Sequence, residues 1–219
     1  MSPRSVLTGW PFTHVAEAER AALCDLLDEL GPDAPTLCVG WTTADMAAHL
    51  VTRERRPDAG PGLVIGRLHG WTERVEQRRR DSTPYAELVQ LVRDGPPFPM
   101  RLPVVHEAAN AAEYFVHHED VRRPNGRAPR PADPERDAAL WRQLRLGGAR
   151  ALSKRAGGAV QLERPDGEHI GTAGPDGIRI RGTVDELFLL GMRPEAAVVV
   201  MDGPPEAVSR LQSALGRAD

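Results

Sequence analysis

The periodicity of apolar residues changes once along this 219-residue chain, near Gly157 and Gly158. Before these glycines, apolar residues recur every three or four positions over helix-length segments, and glycine or proline separates one segment from the next. After them, short runs such as 159–164 and 178–181 alternate with a period of two, which is typical of strands. We therefore predict an α+β fold, with a helical domain over residues 1–156 and a small α/β domain over residues 157–219.

The predicted elements begin and end at residues that cap or break regular structure. Gly31 and Pro32 end the first helix, and Thr42 with Asp45 predicts a capped start for the second. The predicted helices of the first domain cover residues 15–30, 43–55, 63–80, 85–93, 103–123 and 134–155. In the second domain we predict strands at 159–164, 178–181 and 196–201, the last one buried, and helices at 183–190 and 204–215.

Composition and missing motifs exclude several classes of function. The 28 basic and 31 acidic residues give a net charge of −3 and are spread along the chain, so we expect no nucleic-acid partner. No run of about 18 apolar residues occurs and the first residues lack a signal-peptide pattern, so we expect no membrane partner and a cytoplasmic location. The two cysteines form no CxxC pair, and no nucleophile elbow, P-loop or dinucleotide-binding glycine motif is found.

The strongest chemical signal is a polar stripe on the predicted helix 103–123. Its members are His106, Asn110, Glu113, His117 and Asp120, and their spacings of four, three, four and three place them on one helix face. Glu113 and His117 are then neighbours that can offer an oxygen and a nitrogen to one divalent cation. The alternative is a solvated face of an amphipathic helix, although such a face in this arginine-rich chain would be expected to carry arginine.

A third ligand has to come from another helix, and His49 is the best candidate. It follows Met46 by three residues and precedes Leu50, so the second helix is expected to turn its imidazole inward. The alternative for a single histidine among apolar residues is a hydrogen-bonded core residue. His118 points about 100° away from His117, so we do not expect both to bind one ion. His169 is expected in a loop or at the end of an element.

Two segments resemble a known family. Residues 40–50 (GWTTADMAAHL) and 113–120 (EYFVHHED) are similar to the mycothiol-dependent maleylpyruvate isomerase family, a branch of the DinB-like metal-binding proteins of actinobacteria. The resemblance implies a DinB-like four-helix bundle and a divalent metal, expected to be zinc, on His49, Glu113 and His117. Residues 181–193 resemble the family's C-terminal α/β domain, which is similar to sterol-carrier folds. The run TRERRP at 52–57 places the chain nearer an actinobacterial subgroup known only as metal-binding proteins.

The resemblance also implies a chemistry. Mycothiol would bind the metal as a thiolate and attack an electrophilic or unsaturated small molecule, which favours an enzyme of the isomerase or S-transferase type. Arg53 and Arg101 are candidates to bind the anionic groups of the thiol or substrate, and the alternative for each is an exposed surface arginine. No residue is assigned to catalysis, and the candidates are Arg53, Asn110 and Asp120. A homodimer is possible, and the alternatives are a non-catalytic metal-dependent binding or sensor protein and a metal-free structural network.

Overall fold

The computed structural model describes residues 14–56, 69–97 and 103–217, with the side chains of residues 69 and 103–109 excepted. It confirms an α+β fold. The helices are α1 (Val15–Leu30), α2 (Thr43–Arg55), α3 (His69–Ser82), α4 (Tyr85–Asp94), α5 (Pro103–Arg122), α6 (Pro134–Gln143), α7 (Ala149–Ala156), α8 (Val184–Met192) and α9 (Pro205–Ala214). The strands are β1 (Val160–Glu163), β2 (His169–Gly171), β3 (Ile178–Arg181) and β4 (Val200–Asp202).

Helices α1 to α5 pack on one another around an apolar core. α1 lies along α5, α2 packs against α3 and α4, and α1 also contacts α4. Leu27 and Met46 are among the fully buried side chains between them. The start of α2 is fixed as predicted, because the Asp45 carboxylate accepts a hydrogen bond of 2.8 Å from the Thr42 amide. None of the described helices is long and apolar enough to cross a bilayer.

The later part of the chain forms a mixed four-stranded sheet in the order β2-β1-β3-β4. β1 runs parallel to β3, with Leu162 opposite Ile180, and the two outer pairings are antiparallel. The predicted alternation is confirmed on β3, where Ile178 and Ile180 are buried and the residues between them are exposed. Residues from α6 and α7, such as Leu140, share the core with this sheet. Residues on both sides of the boundary near 157 thus pack together, and the division into domains stays a prediction.

Three element predictions are wrong in detail. The predicted helix 134–155 is interrupted by a π-helical turn, Leu144–Gly148, where Gly147 has a non-helical φ of 174°. Two consecutive glycines favour such a break because glycine is a weak helix former. The predicted buried strand 196–201 is observed as β4, Val200–Asp202, and Val200 is 56% exposed at the sheet edge. The strand β2, which begins at His169, is not among the predicted elements, because three residues are too few to show alternation.

Candidate metal centre

Helices α2 and α5 bring His49, Glu113 and His117 together. The Glu113 Oε1 atom lies 3.1 Å from His117 Nε2 and 4.0 Å from His49 Nε2. The three donor atoms fall within 4.8 Å of one another. Zinc bonds of about 2.0–2.1 Å at tetrahedral angles separate donor atoms by about 3.3 Å. The 3.1 Å pair already has this spacing, and the more distant donors would have to approach by roughly 1 Å to bind one cation.

Each of the two imidazoles is oriented by a carboxylate on its other nitrogen. His49 Nδ1 lies 2.8 Å from Glu76 Oε1 on α3, and His117 Nδ1 lies 2.9 Å from Asp120 Oδ2. An ionised carboxylate only accepts hydrogen bonds, so both Nδ1 atoms carry the proton. In the neutral rings each Nε2 atom then has a lone pair for a cation, whereas His117 Nε2 donates to Glu113 when the ring carries both protons. Histidines that bind metals usually have a carboxylate or carbonyl on the other ring nitrogen in this way.

The Nε2 atom of His49 is the decisive feature of the centre. It is buried and has no hydrogen-bond partner among the described residues. The Trp41 ring packs against the imidazole, with 5.1 Å between ring centroids and an angle of 53° between the ring planes. An unsatisfied buried polar atom typically costs about 1–3 kcal/mol. A cation bonded to Nε2 would remove this penalty, and a core histidine with both nitrogens hydrogen-bonded would not show it.

The electrostatics of the centre also favour a cation. Burial lowers the pKa of His117, but hydrogen bonds with Asp120, Cys38 and Glu113 outweigh burial and raise this pKa well above its usual value. Burial raises the pKa of Glu113, whereas its contacts with His117, His49 and Arg53 outweigh burial and lower this pKa. The carboxylate stays ionised. A positive charge, either a proton or a metal ion, is therefore stabilised between these side chains.

Arg53 and Asn110 lie beside this centre as a pair. The Arg53 Nη1 atom donates a hydrogen bond of 2.6 Å to Asn110 Oδ1, and its Nε lies 3.0 Å from Glu113 Oε1. Asn110 thus positions Arg53 and reaches the centre only through it. Arg53 faces Glu113, so its guanidinium is at the site where a bound anion would lie. Arg101, the other predicted anion-binding residue, lies outside the described residues.

Asp120 connects the centre to the C-terminal part of the chain. Arg193, directly after α8, donates to both Asp120 oxygens, at 2.6 and 2.8 Å. Cys38 Sγ lies 3.4 Å from Asp120 Oδ2, so Cys38, His117 and Asp120 form a second group of close ligand atoms. A cation in that group would compete with the Arg193 guanidinium, which binds both oxygens of the carboxylate. Arg53 likewise lies beside Glu113 Oε1, but the His49 group also contains a buried nitrogen without a hydrogen-bond partner among the described residues. The group around His49 is therefore the better cation site.

Three of these residues were missed by the sequence analysis. Glu76 is one of several charged residues on α3, and no local pattern distinguishes it. Arg193 follows α8 by one residue and Cys38 precedes α2, so each reaches Asp120 from a distant part of the chain. Such contacts carry no signal in the spacing of residues. They depend on how the helices pack.

A cavity of about 600 Å³ opens onto the centre. Its polar lining consists of His49, Arg53, Glu113, Gln143, His117 and Arg193. Its apolar lining includes Phe188 and Met192 of α8, so the helical bundle and the C-terminal part both contribute. This volume is in the range of small-molecule sites. The centre is therefore accessible to a ligand.

Comparison of this chain with protein families, curated proteins and solved structures finds no match. The resemblance to the maleylpyruvate isomerase family therefore stays a prediction from the residues. The structure supports a coarser statement, which is that side chains capable of binding a metal ion meet at one place.

Proposed function

We propose that this chain binds one divalent metal ion, with zinc as the expected ion, through His49, Glu113 and His117. The observation that carries the proposal is the buried Nε2 atom of His49, which has no hydrogen-bond partner in the described part of the chain and lies 4.0 Å from Glu113 Oε1. Imidazole nitrogens and a carboxylate oxygen are ligands typical of zinc enzymes. Three protein ligands also leave a coordination position for a small molecule, as catalytic sites do and closed structural sites do not.

We further propose that the chain is a DinB-like protein related to the mycothiol-dependent maleylpyruvate isomerases. Support comes from the packing of α1, α2 and α5 with the α3–α4 pair, which is compatible with a four-helix bundle. In that family's C-terminal domain the expected fold is sterol-carrier-like. The small mixed sheet with α8 and α9 beside it is compatible with that expectation.

The proposed reaction begins with a low-molecular-weight thiol, mycothiol in the family that the sequence resembles. The metal would supply a Lewis acid that lowers the pKa of this thiol, so that it binds as a thiolate. The sulfur then forms a bond to an electrophilic carbon of an unsaturated small molecule. In an S-transferase the adjacent carbon takes a proton and the product keeps the thiol. In an isomerase rotation about the new single bond is followed by loss of the thiolate.

The residues of the cavity have defined roles in this proposal. Arg53 and Arg193 place two guanidinium groups at the cavity wall, where they favour an anionic substrate or thiol. Glu76 and Asp120 hold the two imidazoles by their Nδ1 atoms. Phe188 and Met192 limit the access of water to the side of the cavity that they line. The chain therefore contributes orientation, charge and exclusion of water.

The test combines metal analysis with turnover. Purified protein is expected to contain one zinc ion per chain, and the variant His49→Ala is expected to lose it. With mycothiol and maleylpyruvate or other electrophilic unsaturated acids, the metal-loaded protein is expected to form isomer or thiol adduct. Metal and tight thiol binding without any product would instead identify a binding or sensor protein. Purified protein without stoichiometric metal would contradict the proposal. It would favour the alternative that these residues form a metal-free structural network.

A further inference from the structure

We call the cavity that opens onto the His49, Glu113 and His117 centre the metal cavity. A second cavity, which we call the apolar chamber, lies next to it. It has a volume of about 630 Å³ and lies between the π-helical turn Leu144–Gly148, α7 and α8. Gln143, Phe188 and Met192 line both cavities. The two cavities are therefore neighbours with a common wall.

The walls of the apolar chamber consist mainly of aliphatic and aromatic side chains. Leu144, Leu152 and Leu187 are buried against the core and form its base. Phe188 is held in place by an edge-to-face contact with Phe115 of α5, at 5.9 Å between ring centroids. At the mouth, Leu146 is 85% exposed. A single exposed leucine on a flat surface needs no explanation, but one that borders an apolar cavity extends the apolar surface available to a ligand. The position of Leu146 therefore favours a hydrophobic ligand.

The charge at the chamber is positive. Arg142 and Arg155 are exposed side chains in its lining, and the described lining residues include no aspartate or glutamate. Guanidinium groups bind carboxylates and sulfonates through paired hydrogen bonds. An apolar ligand with a negative group therefore matches both the walls and the opening.

We propose that the apolar chamber binds the hydrocarbon part of an anionic organic substrate, a chain or ring system that carries an acidic group. The reactive end of this substrate lies in the metal cavity, and this placement rests on the proposed function. Binding of the hydrocarbon part needs no metal, because the chamber is formed by α6, α7, α8 and the π-helical turn. The substrate of this chain is accordingly larger and more apolar than a short dicarboxylic acid.

The first test uses metal-free protein and 1-anilinonaphthalene-8-sulfonate, whose fluorescence rises in apolar surroundings. We expect saturable binding that decanoate displaces. Gly191 lies on α8 in the chamber lining, and a Cβ atom added there meets nothing within 4 Å. Gly191→Leu therefore fills the chamber without a backbone clash and is expected to weaken dye binding at least about tenfold, through lost cavity volume.

Gly70→Leu is the matched control. Gly70 is also helical, is exposed on α3, and has open space around an added Cβ atom, but it lines neither cavity. Dye affinity of this variant is expected to equal that of the unmodified protein. Equal affinity of Gly191→Leu and Gly70→Leu would overturn the proposal. So would a change of oligomeric state on Gly191→Leu, because a second copy of the chain would then cover the chamber.

The second test asks whether the chamber and the metal cavity hold one ligand. Cobalt-loaded protein is titrated with ω-mercaptoalkanoic acids of increasing length, and the cobalt–thiolate absorption band reports binding. We expect affinity to rise about fourfold per added methylene, the usual increment for burial of a CH₂ group. In Gly191→Leu this dependence is expected to disappear. Affinity independent of chain length in the unmodified protein would overturn the link between the cavities.

The two proposals fail in different ways. His117→Ala is expected to lose the cobalt band and keep dye binding. Absence of a cobalt band in the unmodified protein, with dye binding intact, would contradict the metal proposal and support the chamber. Absence of dye binding with an intact cobalt band would overturn the chamber and support the metal centre.

Discussion

His117 and His118 are adjacent, buried residues of α5 with opposite surroundings. Each imidazole has a carboxylate 2.9 Å from its Nδ1 atom, Asp120 for His117 and Glu19 for His118. His117 faces Glu113 and the cavity. His118 faces α1, where Arg130 also binds Glu19. Two neighbouring histidines of one helix thus belong to two different clusters. The His117 cluster, with His49 and Glu113, lies beside a cavity, and the His118 cluster, with Glu19 and Arg130, lies where α5 packs against α1.

The carboxylates of the His118 cluster are ion-paired with arginines. Arg130 pairs with Glu19 and with Glu119, both at 2.8 Å, and Arg123 pairs with Glu119 and with Glu186 of α8. These contacts join α1, α5 and α8. The His117 cluster includes the buried His49 Nε2 atom, which has no hydrogen-bond partner among the described residues. Within the same described ranges, Arg130 Nε and Nη2 in the His118 cluster also lack hydrogen-bond partners, but Nε is ion-paired with Glu119 at 2.8 Å. The His49 nitrogen differs because it lies beside a cavity, which indicates a place for a ligand.

The largest expected difference between the two clusters is in metal binding. His117→Ala removes a proposed ligand and is expected to lower zinc affinity by more than the roughly 10–100-fold that loss of an outer-shell partner costs. His118→Ala removes an imidazole at the next position and is expected to retain one zinc per chain. Metal content after dialysis against a weak chelator measures both. Loss of zinc in both variants would show that the comparison is mistaken.

The next effect concerns stability and belongs to the His118 cluster. Arg130→Met leaves Glu19 and Glu119 buried without this partner, and breaking a buried ion pair in this way typically costs about 3–5 kcal/mol. Urea unfolding measures the change in the free energy of unfolding, and metal content is expected to stay at one per chain. Arg127→Met is the control, because Arg127 and Glu29 pair at the surface, where such pairs contribute about 1 kcal/mol or less. Equal effects of the two substitutions would contradict a structural role for the cluster.

A smaller effect distinguishes the two carboxylates on the Nδ1 atoms. Asp120→Asn weakens the acceptor that orients His117 and is expected to lower zinc affinity by about 10–100-fold. Glu76→Gln should do the same through His49. Glu19→Gln makes the matching change beside His118, and its zinc affinity is expected to equal that of the unmodified protein. Competition with a chromogenic chelator gives all three values, and a weakened Glu19→Gln would argue against separate clusters.

The smallest effect is the pH dependence of stability. Burial raises the pKa of Glu19, but hydrogen bonds and charges from His118 and Arg130 outweigh burial and lower this pKa below 4.5. Ionised Glu19 therefore stabilises the fold above its ordinary pKa, and this contribution is lost as the pH falls through its folded-state pKa. Glu19→Gln is expected to lose less stability than the unmodified protein on acidification. Parallel pH profiles from urea unfolding would contradict this assignment.

The sequence predicts local features of the fold well. α1 and α2 are confirmed with their bounds, because Gly31 and the Thr42–Asp45 box mark where helices end and begin. The proximity of Glu113 to His117 follows from their spacing on one helix. The bounds of β3 are confirmed as well. The strands β2 and β4 depend on packing and the π-helical turn on two glycines, so periodicity alone gives them incorrectly or not at all.

The long-range half of the site is beyond such reasoning. His49 can be placed on an inward helix face, but its approach to Glu113 depends on how α2 packs against its neighbours. Glu76 has no feature that separates it from other glutamates of α3. Arg193 reaches Asp120 across 73 residues. Only the three-dimensional arrangement identifies these partners.

X-ray absorption spectroscopy of the zinc-loaded protein tests the central claim most directly. Without added thiol, the spectrum is expected to show two imidazole nitrogens and carboxylate or water oxygens at about 2.0–2.2 Å, and no sulfur. His49→Ala is expected to lose the ion and with it this spectrum. A sulfur ligand at about 2.3 Å would place the ion with Cys38, and together with an unchanged His49→Ala spectrum it would contradict the account.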